Sequence, residues 1–521
     1  MGYSLIPTAA LVGSTGRLVN VEADVSPGLP TTRLLGLPDT CSNPTLDRVR
    51  AAVANAGLDW PSMRVTINIS APDAVRPESS WDLAIAIAVL AAADTRVDQA
   101  QPTTMLLGEL GLDGSIRPVR GVLPMVISGA PHVTGAVVPE ANADEAALAP
   151  DVAVLAARSL SQVAQMLKGG HLRPVKAPDT APYRLGTSPS EGQLSDKVVQ
   201  PDLRDIVGQP LGRFALELSA VGGHSLLLVG PAGSAKTMLA ERLVTLLPDL
   251  SDEQALEVAA IHSAAGLAFP PSRGYQRPPY VAPHHTSATA ALLGGGTNLR
   301  PGAVSLAHHG VLALLDAPEF LSSALQALRY PLREEQVTLA RADVTVSMPA
   351  GGISVLTATP CSCATPARNA CGCSAQIRHR YRQRLNPLLS NIDITVYLNP
   401  TSGMDLRAAS AAPESSADVA ARVATARRRS AKRLELTPWR TNAQIPATAL
   451  VGDLQLSPTA ITPLLRASDT GALSAASLAS VQRMAWTLAD MADIPEPTAK
   501  ETRLALALAK GLDTATFTRS G

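Results

Sequence analysis

The stretch Gly230-Pro231-Ala232-Gly233-Ser234-Ala235-Lys236-Thr237 has the residue types and spacing of a phosphate-binding loop. It follows the apolar run Ser225–Val229 and leads into the helical run Met238–Leu247. A buried strand that turns into a helix through such a loop surrounds a phosphate with backbone N–H groups and the helix N-terminus. Lys236 then reaches the β and γ phosphates of ATP, and the Thr237 hydroxyl ligates Mg²⁺. The expected spacing is G-x-x-x-x-G-K-[ST], with Ala235 in place of the second glycine. Its methyl group crowds the phosphates or resists the backbone conformation that glycine adopts.

Other residues invite chemistry with less specific spacing. Cys361-Ser362-Cys363 and Cys371-Gly372-Cys373 hold four of the five cysteines, and thiolates grouped in this way could hold a tetrahedral Zn²⁺. Against metal, the usual knuckle spacing is C-x₂₋₄-C, and reduced buried thiols need no ion. The pairs His284-His285 and His308-His309 lack the i, i+4 spacing of a helical metal site, which favours loop or core roles. The run Arg427-Arg428-Arg429-Ser430-Ala431-Lys432-Arg433 suits either DNA phosphates or a solvated helix face.

These residues need a scaffold, and 521 residues are enough for about three or four domains. Up to about residue 167, strand-like runs (Leu18–Val25, Arg64–Ile69, Val152–Ala156) mix with helical stretches (Thr45–Ala56, Ser80–Ala93). Residues 168–199 are rich in Gly, Pro and Ser and read as a linker. From 200 to 400 strands alternate with helices around the phosphate loop, and 401–521 reads as all-helical. Lys plus Arg and Asp plus Glu are 44 each, so no global field draws the chain to nucleic acid, and any polyanion must meet a local patch. Aromatic residues are only 3%, which argues against broad stacking platforms for single strands. No apolar run reaches the roughly 20 residues of a membrane span, no leader is recognised and the cysteines are few, so a cytoplasmic protein without membrane contact is expected.

In context the phosphate loop resembles that of the YifB/ComM group of magnesium-chelatase-like AAA+ proteins. Matching stretches are Asp205-Ile206-Val207-Gly208-Gln209, Gly222-Gly223-His224, Ala282-Pro283-His284-His285-Thr286 and Arg300-Pro301-Gly302. Ser305–Leu312, Pro318-Glu319-Phe320, Gly36-Leu37-Pro38-Asp39, Arg48–Ala52, Arg117–Gly121 and Pro438–Asn442 continue the likeness over nearly the whole chain. The resemblance implies a multi-domain α/β fold: a Lon-protease-like (S5 domain 2-like) domain over 1–167, a P-loop AAA+ core with a doubly wound parallel sheet over 200–400, and a C-terminal helical lid. It further implies ATP and Mg²⁺ as cofactors, a ring of subunits, and ATP-driven DNA branch migration. Similar paired cysteines occur in the family.

The resemblance fails at particular positions. The family's Gly-Val-Leu-Phe-Leu-Asp-Glu is here Gly310-Val311-Leu312-Ala313-Leu314-Leu315-Asp316. Counted from either flank, Leu315 takes the magnesium-associated Asp position and Asp316 the catalytic Glu position. A strand slipped by one would let Asp316 serve the metal, with Glu319 as a distant base. A slip swaps faces in a two-sided core, so the unslipped register is favoured. The family's sensor Asn is Thr359, its arginine-finger stretch is Ser390-Asn391-Ile392-Asp393, its lid Arg is Ala476, and the Glu of Arg-Pro-Gly-Glu is Ala303.

Hydrolysis is therefore expected to be weak or lost. Two readings stand: a slow or lapsed DNA-remodelling ATPase, and a nucleotide-responsive or structural scaffold acting through protein partners or a mixed ring with an active paralogue. A porphyrin magnesium chelatase is the weaker third, since the Lon-like domain argues against it. Peptidase activity is not expected, because Leu123 stands where the family resemblance would place a catalytic Lys near Ser79 and Ser80.

Overall fold

Leu226 and Leu228 face one apolar cluster while Leu227 and Val229 face another, so the strand Leu226–Val229 is buried on both sides. That pattern belongs to a parallel sheet covered by helices on both faces. The computed structural model describes residues 2–71, 78–94, 103–175, 201–267, 276–296, 298–341, 344–363, 371–400, 413–471 and 473–511. In it, five parallel strands run in the spatial order Tyr280–Val281, Val311–Leu314, Ile353–Ala358, Leu226–Val229, Ile394–Tyr397. One face is covered by the helices Pro210–Gly222, Lys236–Leu243, Ser416–Leu434 and Ala475–Ala492, the other by Ser322–Glu334 and Asn386–Leu389. Because the strands are parallel, the turns after Val229, Leu314 and Ala358 share one edge of the sheet, where ligands bind in open α/β folds.

The amino-terminal region has its own sheets. Gly2–Val12 and Thr15–Ser26 form a long hairpin extended by Arg64–Ser70 and Thr31–Leu35. The helix Asp82–Ala93 is apolar all round and buried against it, as a helix enclosed on every side must be. Asp82, fully buried at its start, is held by both guanidinium arms of Arg48 at 2.6 and 2.9 Å. A second sheet contains Thr104–Leu106, Gly135–Pro139, Ala153–Ala157 and Arg173–Pro174. Arg173–Pro174 falls inside the span expected to be a linker, whose residues 176–199 lie outside the described residues.

The two regions pack through the helices Val122–Gly129 and Asp252–Ala265, which share an apolar cluster containing Val126, Val258 and Ala259. The Gly121 N–H donates to the Ser263 carbonyl at 3.2 Å, and the Ser263 hydroxyl donates to the Glu145 carboxylate. Gly121 sits at φ 73°, and a Cβ there would lie 2.5 Å from the Leu11 side chain, so glycine is favoured at this joint. The described residues from 416 onward form only helices, and among the described residues no helix is long and apolar enough to cross a membrane.

Candidate nucleotide site

The strand Leu226–Val229 feeds the loop 230–235, and the helix Lys236–Leu243 starts at the lysine. Gly233 and Ala235 both occupy the left-handed region, at φ 76° and φ 61°. The chain therefore takes the conformation glycine favours and carries the Ala235 methyl in it, at a cost of about 1–2 kcal/mol. Ser234 is fully buried and its hydroxyl donates to the Pro231 carbonyl at 2.8 Å, closing the loop on itself. Lys236 Nζ donates to the carbonyls of Gly230 and Pro231, both at 2.8 Å. Burial lowers the lysine pKa, and the nearby charge of Asp316 opposes that shift. Thr237 is exposed on the first turn.

Beside the loop, Asp205, Ile206 and Val207 wall a cavity of about 460 Å³ whose other side is Gly233–Met238. A phosphate-binding turn next to an apolar wall of this size can take the base and sugar of a nucleotide. The donor set suits a phosphate chain: a loop that turns into a helix, one buried cation, and one exposed hydroxyl at the helix start.

The hydrolytic side is built from the turn after Val311–Leu314. Leu315 packs against the core cluster that includes Leu226 and Leu228. Asp316 is exposed at φ 49°, and its N–H donates to Thr357 Oγ1 at 2.8 Å. Three residues on, Glu319 accepts a hydrogen bond from the Tyr381 hydroxyl at 2.7 Å, and that hydroxyl lies 3.1 Å from Thr359 Oγ1. Burial and the Glu319 carboxylate push the Tyr381 hydroxyl well above its ordinary pKa, so it remains a donor. Sequence reasoning named Glu319 and Thr359 but missed Tyr381 and Thr357, which carry no motif and meet the others only in the fold.

Asn391 donates through Nδ2 to the Arg329 carbonyl at 2.8 Å and brings no charge. Ala303 is buried in a short helix, and the side chain of Ala476 lies outside the described residues. The four thiols of Cys361, Cys363, Cys371 and Cys373 converge, all sulfurs lying within 4.8 Å of one another, with 2.9 Å from Cys361 to Cys363 and 3.2 Å to Cys371. The cluster touches the hydrolytic side, since Thr359 Oγ1 donates to the Cys361 carbonyl at 3.0 Å.

Three cations of the Arg run are used internally. Arg427, partly buried, donates to the Ala220 carbonyl, and desolvation lowers its pKa to about 10. Arg429 binds Asp493 and the Asp490 carbonyl. Arg433 stacks on Trp486 at 4.6 Å and binds the buried Asp490 carboxylate. Arg428 and Lys432 remain exposed. His284 Nδ1 lies 2.7 Å from Thr286 Oγ1, and the His285 ring meets the edge of Phe320. His308 and His309 converge on Glu257.

Ser79 donates to Glu109 and Ser80 to Glu78 in a separate cleft of about 360 Å³, while Leu123 is fully buried.

Known proteins resemble this chain along most of its length. Residues 202–406 match the family described as magnesium chelatase, subunit ChlI. Residues 21–142 match subunit ChlI of Mg-chelatase, and 413–509 match the ChlI C-terminal family. An uncharacterized protein of Mycobacterium tuberculosis is 42% identical over 507 residues, covering 96% of this chain and 97% of that protein. The uncharacterized protein YifB of Escherichia coli is 36% identical over 85% of this chain and 86% of its own length. The competence protein ComM of Haemophilus influenzae is 34% identical over 76% of each.

Proposed function

The chain belongs to the magnesium-chelatase ChlI family, with YifB and ComM among its relatives, and from that premise we propose an AAA+ protein that binds ATP and hydrolyses it weakly or not at all. The carrying observation is the contrast at the site: a built phosphate loop with its lysine stands beside a strand end where the partly buried Leu315 packs against the core. Lys236 and Thr237 would hold ATP phosphates and Mg²⁺, and Gly230–Ala235 would supply the cradle. When bound, the magnesium would screen phosphate charge. Asp316 is the acid left to orient an attacking water, and it is one methylene shorter than glutamate. A misplacement of about 1 Å can cost on the order of 10²-fold in rate.

In keeping with the family resemblance, this reading makes the chain a subunit of a ring that remodels DNA, slow or lapsed in catalysis. Arg428 and Lys432 are the cations of the basic run left open to phosphate. DNA affinity unchanged by Arg428→Ala with Lys432→Ala would remove them from that role. A scaffold is the second reading, favoured by Asn391: without charge there, a ring of identical subunits lacks the arginine that typically contributes 10³–10⁵ in rate. A mixed ring with an active paralogue would supply it. The four-cysteine cluster would hold a structural Zn²⁺, and metal analysis below about a tenth of an equivalent per chain would end that assignment. The Lon-like amino-terminal domain would act in packing or partner binding, without peptidase activity.

The test is steady-state ATP turnover of the full chain with and without branched DNA, beside equilibrium binding of a fluorescent ATP analogue. Saturable binding with negligible turnover is expected. Brisk DNA-stimulated turnover would overturn the lapsed-catalysis reading, and absence of binding up to millimolar nucleotide would leave a fold kept for its shape.

A further inference from the structure

At the opposite end of the strand from Asp316, a histidine pair and a glutamate stand apart from the nucleotide site. Glu257 projects from the helix Asp252–Ala265, and its Oε2 lies 2.7 Å from His309 Nε2 and 3.3 Å from His308 Nε2. The two imidazoles stack with centroids 3.8 Å apart, and the three ligand atoms all lie within 4.8 Å of one another. Zinc–nitrogen bonds of about 2.0–2.1 Å in a tetrahedron place neighbouring ligand atoms about 3.3 Å apart. The His308 separation already has that value, and the half-exposed Glu257 can open the shorter one by rotation.

The backbone holds the pair in place. His308 Nδ1 lies 3.1 Å from the Gly351 carbonyl and 3.0 Å from the Gly351 nitrogen, whose N–H points at it, so ligation through Nε2 takes the tautomer that donates Nδ1–H to the carbonyl. His309 is held at φ 58°, in the left-handed region, with its N–H donating to the same carbonyl at 2.6 Å. On their other side both histidines line a small cavity that they share with Asp249, Glu335, Arg427 and Arg440.

We propose that Glu257, His308 and His309 bind a divalent transition-metal ion such as Zn²⁺, with water completing the shell. The ion ties the helix Asp252–Ala265, which docks the amino-terminal region, to the start of the strand Val311–Leu314 that leads to Asp316. This site is independent of nucleotide binding and of the four-cysteine cluster.

The experiment strips the full chain with chelator under reducing conditions and titrates it with Co²⁺. Thiolate sites announce themselves by sulfur-to-cobalt charge transfer, whereas a nitrogen and oxygen site gives weak d–d absorption alone. One equivalent with the weak signature is expected. Losing a first ligand should weaken its affinity by at least the roughly 10–100-fold that an outer-shell partner is worth. Glu257→Gln, at a half-exposed position, and His309→Asn, which tolerates the left-handed backbone, should both show this loss while any thiolate signal stays unchanged. Uptake with only the thiolate signature, no uptake, or uptake that both variants leave intact would overturn the proposal.

Discussion

Two turns at one edge of the parallel sheet carry a non-glycine residue in the left-handed region, Ala235 at φ 61° and Asp316 at φ 49°. At the first turn the chemistry stays with the backbone: Lys236 is buried on loop carbonyls and Thr237 starts the helix. At the second the backbone stays and the chemistry thins, with Leu315 packed against the core and Glu319 occupied by Tyr381. The difference teaches that a backbone path is maintained by packing, whereas a catalytic group needs the particular side chain at its tip.

The largest test of that contrast rebuilds the second turn. Leu315→Asp with Asp316→Glu and Asn391→Arg should raise ATP turnover by on the order of 10²-fold or more, from the water-orienting group and the restored guanidinium together. Unchanged turnover in a chain that still binds nucleotide would show that the deficit lies elsewhere.

Breaking the first turn comes next. Lys236→Ala removes the charged donor, and at about 1.5–3 kcal/mol per hydrogen bond to a charged group, nucleotide affinity should fall on the order of 10–100-fold. Equal affinity in wild type and variant would detach the loop from phosphate.

Smaller effects sharpen the comparison. Tyr381→Phe deletes the hydroxyl between Glu319 and Thr359 and should lower stability by about 1 kcal/mol in a denaturant titration, with nucleotide affinity unaltered. A large loss of affinity would make that network part of the binding half. Ala235→Gly relieves about 1–2 kcal/mol of left-handed strain and adds about 0.5–1 kcal/mol of chain entropy to the unfolded state. A net gain of about half a kcal/mol in unfolding free energy is expected, and marked destabilisation would show that the alanine is unstrained.

Local pattern made the binding half legible. An apolar run, two glycines and a Lys-Thr pair lie within a short stretch, and the Ala235 methyl announced its strain as an exception to glycine. The hydrolytic half was legible only as a set of missing types. The bonds from the Asp316 N–H to Thr357 and from Tyr381 to Glu319 join residues distant in sequence and unmarked by motif. The Arg run shows the same limit. Its charges were plain, yet nothing local signalled that Asp490, Trp486 and the Ala220 carbonyl would occupy three of them. The metal-like meeting of Glu257 with His308 and His309 was equally hidden, since the histidines alone lack a metal spacing and the carboxylate arrives from another helix.

The strand order has a consequence for the chain's synthesis. Leu226–Val229 hydrogen-bonds on its two sides only to Ile353–Ala358 and Ile394–Tyr397, both encoded far downstream. Non-local parallel pairing is slow, because the intervening loop must close before any contact rewards it. The phosphate loop therefore leaves the ribosome long before its supporting sheet exists, while the amino-terminal hairpin Gly2–Ser26 can pair at once. A ligand of that loop can assist folding only after Tyr397 has been made, and until then the apolar strand must be kept from aggregating by other means.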